Sequence, residues 1–593
     1  MIETLNQAFF NTVKSYIKDD LLLYKKEGQY VPISTEEFAN RVKYISLGLR
    51  DLGLEAGDKL IILSENRPEW VITDIASLCL GGITVPIYTS LVPEQIKYII
   101  DDSDAKIVVV SDQDQWQKIE AIKSELTKVT HYITFLSEAP EGVLTFAQVL
   151  ERGRKMDEQN PELFEKMALE VKPDDIASIV YTSGTTGPPK GVMLTHGNLI
   201  SNVKTSASII EFSDKDTVLS LCPLSHVMER MVTFTYLYKG CSIGYAESFE
   251  AAGQNLLEIR PHIMVSVPRV FEKIYSKIMD NVLSSSSLKR KIFFWALKVG
   301  KECSRRKLLN QSIPGMLQFK RNLAHKLVFS KILARTGGRI RFFVSGAAPL
   351  SKDMAEFFHA IGLVILEGYG LTETSPVIAL NTFENLKLGT VGKPIPGVEV
   401  KIAEDGEILT KGPNVMKGYY KKEAETEEAF EGGWFRTGDI GHLDEEGFLV
   451  ITDRKKDIIV TAGGKNVAPQ PIENLLKTSP YIENVLTIGD RRKFISALVV
   501  PNFEKLEEYA KFNKIPYETN RDLIKNEKIQ YFMEKEVDRA TPALASYEKI
   551  KKITLLDRDF EIEKGEITPT FKIKRNIVEE KYRDIIDAMY RED

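Results

Sequence analysis

The sequence predicts an α/β protein: a large amino-terminal domain of stacked βαβ sheets with a small β-rich subdomain, followed by a smaller α+β domain. From about residue 30 onward, short runs rich in Val and Ile alternate with helical periods, a pattern typical of parallel sheets with crossover helices. The runs that predict strands cover residues 59–63, 105–110, 176–180, 263–267 and 340–344, with a helix near 70–80. The β-rich subdomain is predicted over about 389–453, where short strands are broken by Gly and Pro.

The chain divides into two predicted domains, residues 1–453 and residues 454–593. Its 593 residues exceed the usual size of a single hydrophobic core. The tail combines a strand-like run at 497–500 with charged helical segments and is long enough to fold separately. Four consecutive charged residues, Arg454-Lys455-Lys456-Asp457, form the natural joint, which places a hinge at 453–458.

Composition and charge exclude several classes of protein. With a net charge of −5 the chain has no overall attraction for nucleic acid or for an anionic membrane, so we expect no nucleic-acid partner. Glu3 stands where a secretory signal carries basic residues, and the longest uncharged run, 75–93, is interrupted by Gly and Pro. The four cysteines are widely spaced, which favours buried, reduced thiols. The sequence therefore predicts a cytoplasmic protein without a transmembrane helix.

The densest motif is a loop of glycines and hydroxyl side chains after the predicted strand at 176–180. Its residues are Thr182, Ser183, Gly184, Thr185, Thr186, Gly187 and Lys190. Glycines let backbone amides approach an anion closely, and the hydroxyls and the lysine add donors and a positive charge. The spacing is not that of a Walker loop, in which Ser or Thr directly follows the lysine. The loop predicts a polyphosphate site, with an ordinary surface turn as the alternative.

Four further segments accompany this loop. They are Gly368-Tyr369-Gly370-Leu371-Thr372-Glu373-Thr374, Trp434-Phe435-Arg436-Thr437-Gly438-Asp439, Asp453-Arg454-Lys455-Lys456-Asp457-Ile458 and Thr570-Phe571-Lys572-Ile573-Lys574-Arg575. Together with the loop they resemble the AMP-forming adenylating superfamily of acyl-CoA synthetases, luciferases and peptide-synthetase adenylation domains. The resemblance covers nearly the whole chain, and the five motifs stand in the order and spacing of that superfamily.

The resemblance implies an ATP site. It assigns Gly368 and Tyr369 to the nucleotide, with the Tyr369 ring as a flat face for adenine. Thr372 is implied to bond the α-phosphate and Glu373 to ligate Mg²⁺, which prefers oxygen ligands. Asp439, expected directly after a Thr-Gly turn, matches the residue that accepts hydrogen bonds from both ribose hydroxyls.

The joint between the domains and a late lysine complete the implied site. Arg454 matches the arginine that contacts the nucleotide sugar and phosphate, and Lys456 matches the position at which the mobile carboxy-terminal domain pivots. Lys572 matches the lysine that touches the carboxylate and α-phosphate during adenylation, where its ammonium offsets developing charge. The superfamily usually carries Gly before this lysine, whereas this chain has Phe571, and Lys574 is a competing cation. The catalytic candidates are thus Lys572, Thr372, Glu373 and Arg454.

Small side chains near the implied acyl site favour a long acyl chain. Short-chain synthetases of the superfamily tend to place Trp after the motif's aromatic residue, whereas this chain has Gly370, which implies an open tunnel. Ser345, Gly346 and Ala347 are small where the acyl chain would run. His226 lies in a Leu-Ser-His-Val-Met-Glu-Arg segment that resembles the long-chain subgroup. We interpret His226 as lining the carboxylate end of the tunnel.

A second glycine-rich turn bears on the acyl acceptor. Gly463 and Gly464, just past the hinge, match the loop that lines the acceptor channel, where small residues let a pantetheine arm pass. A plain Gly-Gly turn is the alternative. The resulting hypothesis is a long-chain fatty acid:CoA ligase that uses ATP, Mg²⁺ and CoA.

Three other functions are alternatives to the ligase. The first transfers the acyl group to the pantetheine of a carrier protein, and the sequence separates it poorly from the ligase. A non-catalytic scaffold is disfavoured because Lys572, Glu373 and Asp439 are intact. Luciferase-like oxidation is disfavoured because no bulky aromatic substrate pocket is indicated.

Residues 289–341 are dense in Lys and Arg. Glu302 is their only acid, and Phe293, Phe294 and Trp295 interleave with the basic residues. Such a segment can rest on a membrane surface, which predicts a peripheral contact on the inner face of a membrane. A solvated cationic helix pair is the alternative. The sequence leaves a homodimer open.

Overall fold

Two mainly parallel β-sheets form the framework of the large domain. The structure is a computed structural model that describes residues 2–182, 188–568 and 571–591. The elements up to residue 209 are α1 (Leu5–Ser15), β1 (Leu22–Lys26), β2 (Gln29–Ile33), α2 (Thr35–Asp51), β3 (Lys59–Leu63), α3 (Pro68–Cys79), β4 (Ile83–Ile87), α4 (Pro93–Ser103), β5 (Ala105–Val110), α5 (Gln113–Glu120), β6 (His131–Thr134), β7 (Leu144–Thr145), α6 (Phe146–Gln159), α7 (Leu163–Glu170), β8 (Ile176–Thr182), β9 (Lys190–Thr195) and α8 (His196–Ile209).

The next part of the chain continues the alternation of strands and helices. Its elements are β10 (Thr217–Ser220), α9 (Val227–Tyr238), β11 (Ser242–Tyr245), α10 (Ala252–Ile259), β12 (Ile263–Ser266), α11 (Pro268–Leu283), α12 (Ser287–Leu308), α13 (Gly315–Ala324), α14 (Ser330–Ala334), β13 (Phe342–Ser345), α15 (Lys352–Ile361), β14 (Val364–Gly370) and β15 (Val377–Leu380). A π-helical turn (His325–Phe329) joins α13 to α14, and a 3₁₀ turn (Thr372–Thr374) follows β14.

Short strands and then a second α+β unit complete the chain. The strand-rich part comprises β16 (Lys393–Pro394), β17 (Glu399–Ile402), β18 (Glu407–Lys411), β19 (Gly418–Tyr419), α16 (Glu423–Glu428), β20 (Phe430–Glu431), β21 (Trp434–Leu443) and β22 (Leu449–Arg454). The last unit comprises β23 (Ile459–Val460), β24 (Asn466–Val467), α17 (Pro469–Leu476), β25 (Ile482–Ile488), β26 (Ile495–Pro501), α18 (Phe503–Phe512), α19 (Asn520–Lys525), α20 (Glu527–Ala540), β27 (Ile550–Leu555), α21 (Arg575–Lys581) and α22 (Arg583–Tyr590).

The strand order places the predicted motifs at neighbouring sheet edges. Within the described residues one sheet has the order β16-β15-β14-β13-β12-β10-β11-β1-β2, and the other has the order β19-β9-β8-β4-β3-β5-β6-β7. The strands β10 to β14 of the first sheet and β3 to β8 of the second run parallel, and antiparallel strands such as β2, β9 and β15 flank them. The predicted α/β fold class is confirmed.

Local sequence explains where several elements begin. Pro68 occupies the first turn of α3, where its missing amide hydrogen removes no helical hydrogen bond. The Ser34 side chain accepts a hydrogen bond from the Glu37 amide at the start of α2. Nearly every residue of β5 is buried, as expected of a central parallel strand with helices on both faces. Helices and strands therefore start where the predicted alternation places them.

The strand-rich segment differs in one respect from the prediction. Strands β17, β18, β20, β21 and β22 form an antiparallel sheet of their own. However, β16 pairs with β15 and β19 pairs with β9, so both join the large sheets instead. Strands of two residues carry too little periodicity to be assigned from sequence.

The carboxy-terminal unit contacts the large domain through side chains of opposite charge. Arg269 on α11 donates to the backbone oxygen of Glu483 (3.1 Å) and also pairs with the Glu483 carboxylate. Lys505 Nζ lies 3.0 Å from a carboxylate oxygen of Asp280. The four cysteines are buried and unpaired, as predicted. No helix in the described part of the chain is both long and apolar enough to cross a bilayer.

Glu229 on α9 is a buried acid in the core of the large domain. Its side chain is 1% exposed, and neither carboxylate oxygen meets a hydrogen-bond partner among the described residues. Burial raises the pKa of Glu229 to about 8. The nearby Ser220 hydroxyl lowers this pKa in part, although the two side chains do not form a hydrogen bond. Because the folded pKa exceeds the unfolded value of about 4.3, this group costs folding free energy increasingly as pH rises from about 4.3 to 8.

Replacing Glu229 with Gln removes this titration while keeping the side-chain shape. We expect Glu229→Gln to raise the free energy of unfolding at pH 8 by about 2–4 kcal/mol relative to wild type, and to match wild type near pH 4.5. Urea denaturation across this pH range measures the difference, with the exposed Glu427→Gln as control. An equal change at both pH values would contradict the prediction, since it would point to packing rather than ionisation.

Candidate active site

One cavity of about 1780 Å³ gathers most of the predicted site residues. It is lined from the large domain, the β21–β22 hairpin and the carboxy-terminal unit. The predicted residues on its wall are Thr182, Lys190, His226, Ser345, Gly346, Ala347, Gly368, Tyr369, Gly370, Thr372, Glu373, Asp439, Arg454, Lys456 and Lys572. These residues come from sequence positions nearly 400 apart, so the sheet topology is what brings them together.

The carboxylate of Asp439 lies at the centre of one wall. The Tyr369 hydroxyl donates to Asp439 Oδ2 (2.7 Å), and Arg454 Nε lies 3.2 Å from Oδ1. Asp439 and Arg454 are directly opposite each other in the antiparallel β21–β22 pair. The sequence placed Asp439 after a turn, but it lies within β21 instead. The strand continues through Gly438 because Gly adopts the positive φ of +69° needed there.

Glu407 is a supporting residue that the sequence analysis missed. Its Oε1 accepts a hydrogen bond from the amide of Gly438 (3.0 Å), next to Asp439. Its Oε2 pairs with Lys455 in the joint (2.8 Å) and with Arg436 (2.9 Å). Glu407 therefore fixes the strand that carries Asp439 and the start of the segment that joins the two domains.

Glu373 and Lys190 share a second supporting residue, Tyr419. The Tyr419 hydroxyl donates to Glu373 Oε1 (3.0 Å), and Lys190 Nζ lies 5.1 Å from the centre of the Tyr419 ring. Sequence spacing gave no signal for Tyr419, because its position depends on the two-residue strand β19 pairing with β9. The Lys190 ammonium, the Tyr419 ring and the Glu373 carboxylate therefore lie next to one another in space, in that order.

Lys572 reaches the cavity from the carboxy-terminal unit. Its backbone oxygen accepts from the Thr568 amide (2.8 Å), and its own amide donates to Thr568 Oγ1 (3.0 Å). The side chain has exposed surface, which lines the cavity between the two domains, where neighbouring groups displace part of the surrounding water. This withdrawal from bulk water, followed by the charge of Arg454, lowers the pKa of Lys572 to about 8 against the opposing effect of Asp439. At pH 7 the ammonium is charged.

Phe571 adopts a backbone conformation that suits glycine. Its φ is +61°, in the left-handed region that non-glycine residues rarely occupy. The glycine that the superfamily usually carries before the lysine would adopt this conformation without strain. The Phe571 ring instead meets Phe249 of the large domain edge to face, with ring centres 5.4 Å apart. An aromatic contact between the domains therefore stands next to Lys572, while Lys574 also lines the cavity.

His226 lies at the start of α9. Its Nδ1 accepts a hydrogen bond from the amide of Met228 (3.1 Å), so the imidazole caps the helix. Burial, and then the charge of Lys572, lowers the pKa of His226 to about 4. The ring is therefore neutral at pH 7, and it faces the cavity near the Lys572 ammonium.

Two glycines lie where neighbouring atoms approach closely. A Cβ on Gly346 would lie 2.7 Å from the sulfur of Met228, and a Cβ on Gly370 would lie 1.7 Å from the backbone oxygen of Pro376. Gly370 is therefore needed for the approach of two backbone segments, a reason that the sequence analysis did not identify. Its implied role in opening an acyl tunnel stays a prediction.

Two sets of predicted residues are not placed at the cavity. Strand β8 ends at Thr182 and pairs with β9, which begins at Lys190. The intervening residues of the predicted loop, Ser183, Gly184, Thr185, Thr186 and Gly187, lie outside the described residues. Gly463 and Gly464 lie in an exposed turn between β23 and β24 and do not line this cavity. Their assignment to an acceptor channel stays a prediction.

The fold and the cavity define the class of protein: a large α/β domain with a smaller carboxy-terminal domain, and a cavity lined by residues of both, including a lysine from the smaller one. A solved structure of the anthranilate CoA ligase AuaEII in complex with anthranoyl-AMP has a similar fold, with a TM-score of 0.73 and 19% identity over 99% of this chain and 98% of that one. Residues 9–420 match the AMP-binding enzyme family, and residues 456–593 match the AMP-binding enzyme C-terminal domain. The chain belongs to the AMP-binding enzyme family.

Two curated relatives span nearly the whole chain. The long-chain-fatty-acid–CoA ligase FadD15 of Mycobacterium bovis is 36% identical over 580 residues, which cover 97% of this chain and 95% of that protein. The peroxisomal long chain acyl-CoA synthetase 7 of Arabidopsis thaliana is 33% identical over 629 residues, covering 100% of this chain and 87% of that one.

The lowered pKa of Lys572 can be measured directly. An unperturbed lysine titrates near 10.4, so only a small fraction of such groups is neutral at pH 8 (roughly one in 250). We expect an amine-acylating reagent to modify Lys572 half-maximally near pH 8 and well before most surface lysines. Mass spectrometry of peptides after brief labelling between pH 6.5 and 10.5 gives the titration midpoint. A midpoint near 10 would contradict the desolvated position of Lys572.

Proposed function

We propose that the chain is an AMP-forming long-chain fatty acid:CoA ligase. The observation that carries this proposal is one cavity shared by the Asp439–Arg454–Lys572 group and an apolar wall. That wall is formed by α8, α9, β13 and the residues beside them, and includes Ile210, Phe212, Val232, Tyr236, Phe342 and Val344. Relatives named as a long-chain-fatty-acid–CoA ligase and a long chain acyl-CoA synthetase, at 36% and 33% identity, support the same function.

The proposed reaction has two steps. A carboxylate oxygen of the fatty acid attacks the α-phosphorus of ATP, and the bond from that phosphorus to the pyrophosphate oxygen breaks, which leaves acyl-AMP. The thiol sulfur of CoA then attacks the acyl carbonyl, its proton is released, and AMP departs. Lys572 is positioned to offset negative charge that develops at the α-phosphate in the first step. Because His226 is neutral, it adds no second positive charge beside the Lys572 ammonium, where the carboxylate of the fatty acid is proposed to bind.

Glu373 is the proposed protein ligand for Mg²⁺. The described residues contain no group of three acidic, His or Cys side chains that would hold a metal by themselves. A single carboxylate suits Mg²⁺, which is usually bound through one or two carboxylates together with substrate phosphates and water. Bound there, Mg²⁺ would supply charge neutralisation on the triphosphate. Tyr419 holds the orientation of Glu373, and Thr372 lies beside it on the cavity wall.

The proposal also specifies which thiol accepts the acyl group. We favour free CoA over a carrier protein because the two relatives are named as a CoA ligase and an acyl-CoA synthetase. Gly463 and Gly464 are proposed to line the path of the pantetheine arm after the carboxy-terminal domain turns at Lys456. In the described arrangement their turn is exposed, so this role requires a second arrangement of the two domains.

The test is AMP formation from ATP and Mg²⁺ with fatty acids from C2 to C20, each with and without CoA. We expect sustained turnover only with long chains and CoA, and a loss of about 100-fold or more in Lys572→Ala, since its charge offset is removed. Lys574→Ala is the matched control and should retain most activity. AMP formation that requires a carrier protein in place of CoA would favour the rival, and a lack of adenylation with any acid would reject both.

The basic segment presents a surface that fits a membrane. Helix α13 and the π-turn expose the α13 stripe, which consists of Met316 (69% exposed), Phe319 (66%), Leu323 (39%) and Leu327 (42%). Spacings of three and four residues place these side chains on one helical face. The neighbouring helix α12 exposes the cations Arg290, Lys291, Lys298, Lys301 and Arg305, while the single acid, Glu302, is paired with Arg305 and Arg306.

We therefore infer that this surface docks on an anionic bilayer, from which the substrate is drawn. Apolar side chains that are rimmed by cations combine burial in the interface with attraction to anionic lipid. The position fits the proposed cytoplasmic location, with the protein peripheral on the inner face of a membrane. The competing interpretation is a cationic helix pair that stays in water.

Vesicle flotation separates these two interpretations. We expect wild type to float with vesicles of phosphatidylcholine that contain about one third phosphatidylglycerol. Less protein should float with phosphatidylcholine alone, because that lipid carries no net charge to attract the basic residues. Met316→Ser with Phe319→Ser should reduce bound protein at least about fivefold. Phe512→Ser is the control, since Phe512 is 87% exposed on the other domain. Equal binding of all variants would place the contact elsewhere.

A further inference from the structure

Tyr419 contacts both charged residues that are proposed to handle the triphosphate. Its hydroxyl donates to Glu373 Oε1 (3.0 Å), and the Lys190 ammonium lies over its ring, 5.1 Å from the ring centre. Lys190 begins β9, and Glu373 lies in the 3₁₀ turn after β14. Two elements of different large sheets therefore meet at one tyrosine.

The backbone on either side of Tyr419 is fixed to the same two elements. The Met416 amide donates to the backbone oxygen of Glu373 (2.8 Å), and the Lys417 amide donates to the backbone oxygen of Met193 in β9 (3.0 Å). The Tyr420 amide donates to the backbone oxygen of Gly191, also in β9 (2.7 Å). The segment 416–420 thus connects the two charged residues through its main chain, and Tyr419 completes the connection with its side chain.

The chemistry of a tyrosine suits this position. An aromatic face attracts an ammonium ion without neutralising its charge, whereas a carboxylate in its place would form an ion pair. A phenol hydroxyl can donate to a carboxylate, which only accepts, and this is the direction of the bond from Tyr419 to Glu373. Tyr419 therefore separates Lys190 from Glu373 and keeps both charges available to a ligand.

We propose that Tyr419 is a positioning residue for ATP with its cation: the ring sets the place of Lys190, and the hydroxyl orients Glu373. The two functions reside in separable parts of one side chain. The hydroxyl acts on the group assigned to Mg²⁺, and the ring acts on the group assigned to the phosphates. This inference rests on the proposed function, because that function supplies the ligand.

Calorimetric binding of ATP with Mg²⁺ and in EDTA tests the separation without turnover. For Tyr419→Phe, which keeps the ring, we expect about tenfold weaker binding with Mg²⁺ and unchanged binding in EDTA, because one hydrogen bond to a charged group is lost. For Tyr419→Leu, which also removes the ring, we expect weaker binding under both conditions. Tyr420→Phe is the matched control, since the Tyr420 hydroxyl contacts Asp104 (3.2 Å) away from the cavity.

Each outcome decides the inference. A Tyr419→Phe protein that binds like wild type under both conditions overturns it, and so does one that loses affinity equally with and without Mg²⁺. If wild type itself binds ATP no better with Mg²⁺, the assignment of Glu373 fails and the inference fails with it. The proposed ligase function is judged separately, by AMP formation from fatty acid and CoA, so the two failures are distinguishable.

Discussion

The buried carboxylate of Asp439 is the constraint on which the cavity depends. A buried charge is tolerated only when its oxygens are bonded, and here one oxygen is bonded by Tyr369 and the other is paired with Arg454. Tyr369 belongs to β14 of a large sheet, whereas Arg454 ends the hairpin that leads into the smaller domain. Satisfying one carboxylate therefore fixes the β21–β22 hairpin against the sheet and sets the point from which the carboxy-terminal domain departs.

The positive and negative side chains of the predicted nucleotide site do not all form ion pairs with one another. Lys190, Arg454 and Lys572 supply positive charge from three separate segments, and Glu373 and Asp439 supply two carboxylates. Asp439 is engaged by Arg454, while Tyr419 is placed between Lys190 and Glu373. Other charged residues of both signs also line the cavity, so the positive charge that suits an anionic ligand is local to the wall that carries Lys190, Arg454 and Lys572. The neutral forms of His226 and Tyr419 add polar contacts without adding charge.

Sequence reasoning predicted the framework because the framework depends on local patterns. The Val/Ile run of β5 and the alternation of strands with helices predicted the α/β class, and the motif residues converge because they follow strands of neighbouring sheets. What the sequence could not predict depends on contacts between distant segments. Tyr419 and Glu407 act through pairings of β19 with β9 and β18 with β21, and Gly370 is needed because Pro376 approaches it.

The position of Asp439 within a strand, and the exposed turn at Gly463, were likewise beyond sequence reasoning. A Thr-Gly pair is typical of turns, yet β21 continues past Gly438, whose positive φ accompanies an irregularity in the pairing of β21 with β18, and Asp439 pairs with β22. A glycine pair predicts a turn correctly but does not say which surface the turn faces. The same holds for the basic segment, where the composition indicated cations but only the structure shows that Phe293 is buried while the α13 stripe is exposed.

The apolar wall of the cavity comes from a part of the chain that the nucleotide site hardly uses. Residues of α8, α9 and β13 form that wall, whereas the groups assigned to ATP come from the ends of β8, β14, β21 and β22 and from the last domain. A substitution that reshapes the apolar wall therefore need not disturb the groups that hold the phosphates. In evolutionary terms, the preference for one acyl chain over another can drift by single mutations while the chemistry of activation is inherited unchanged.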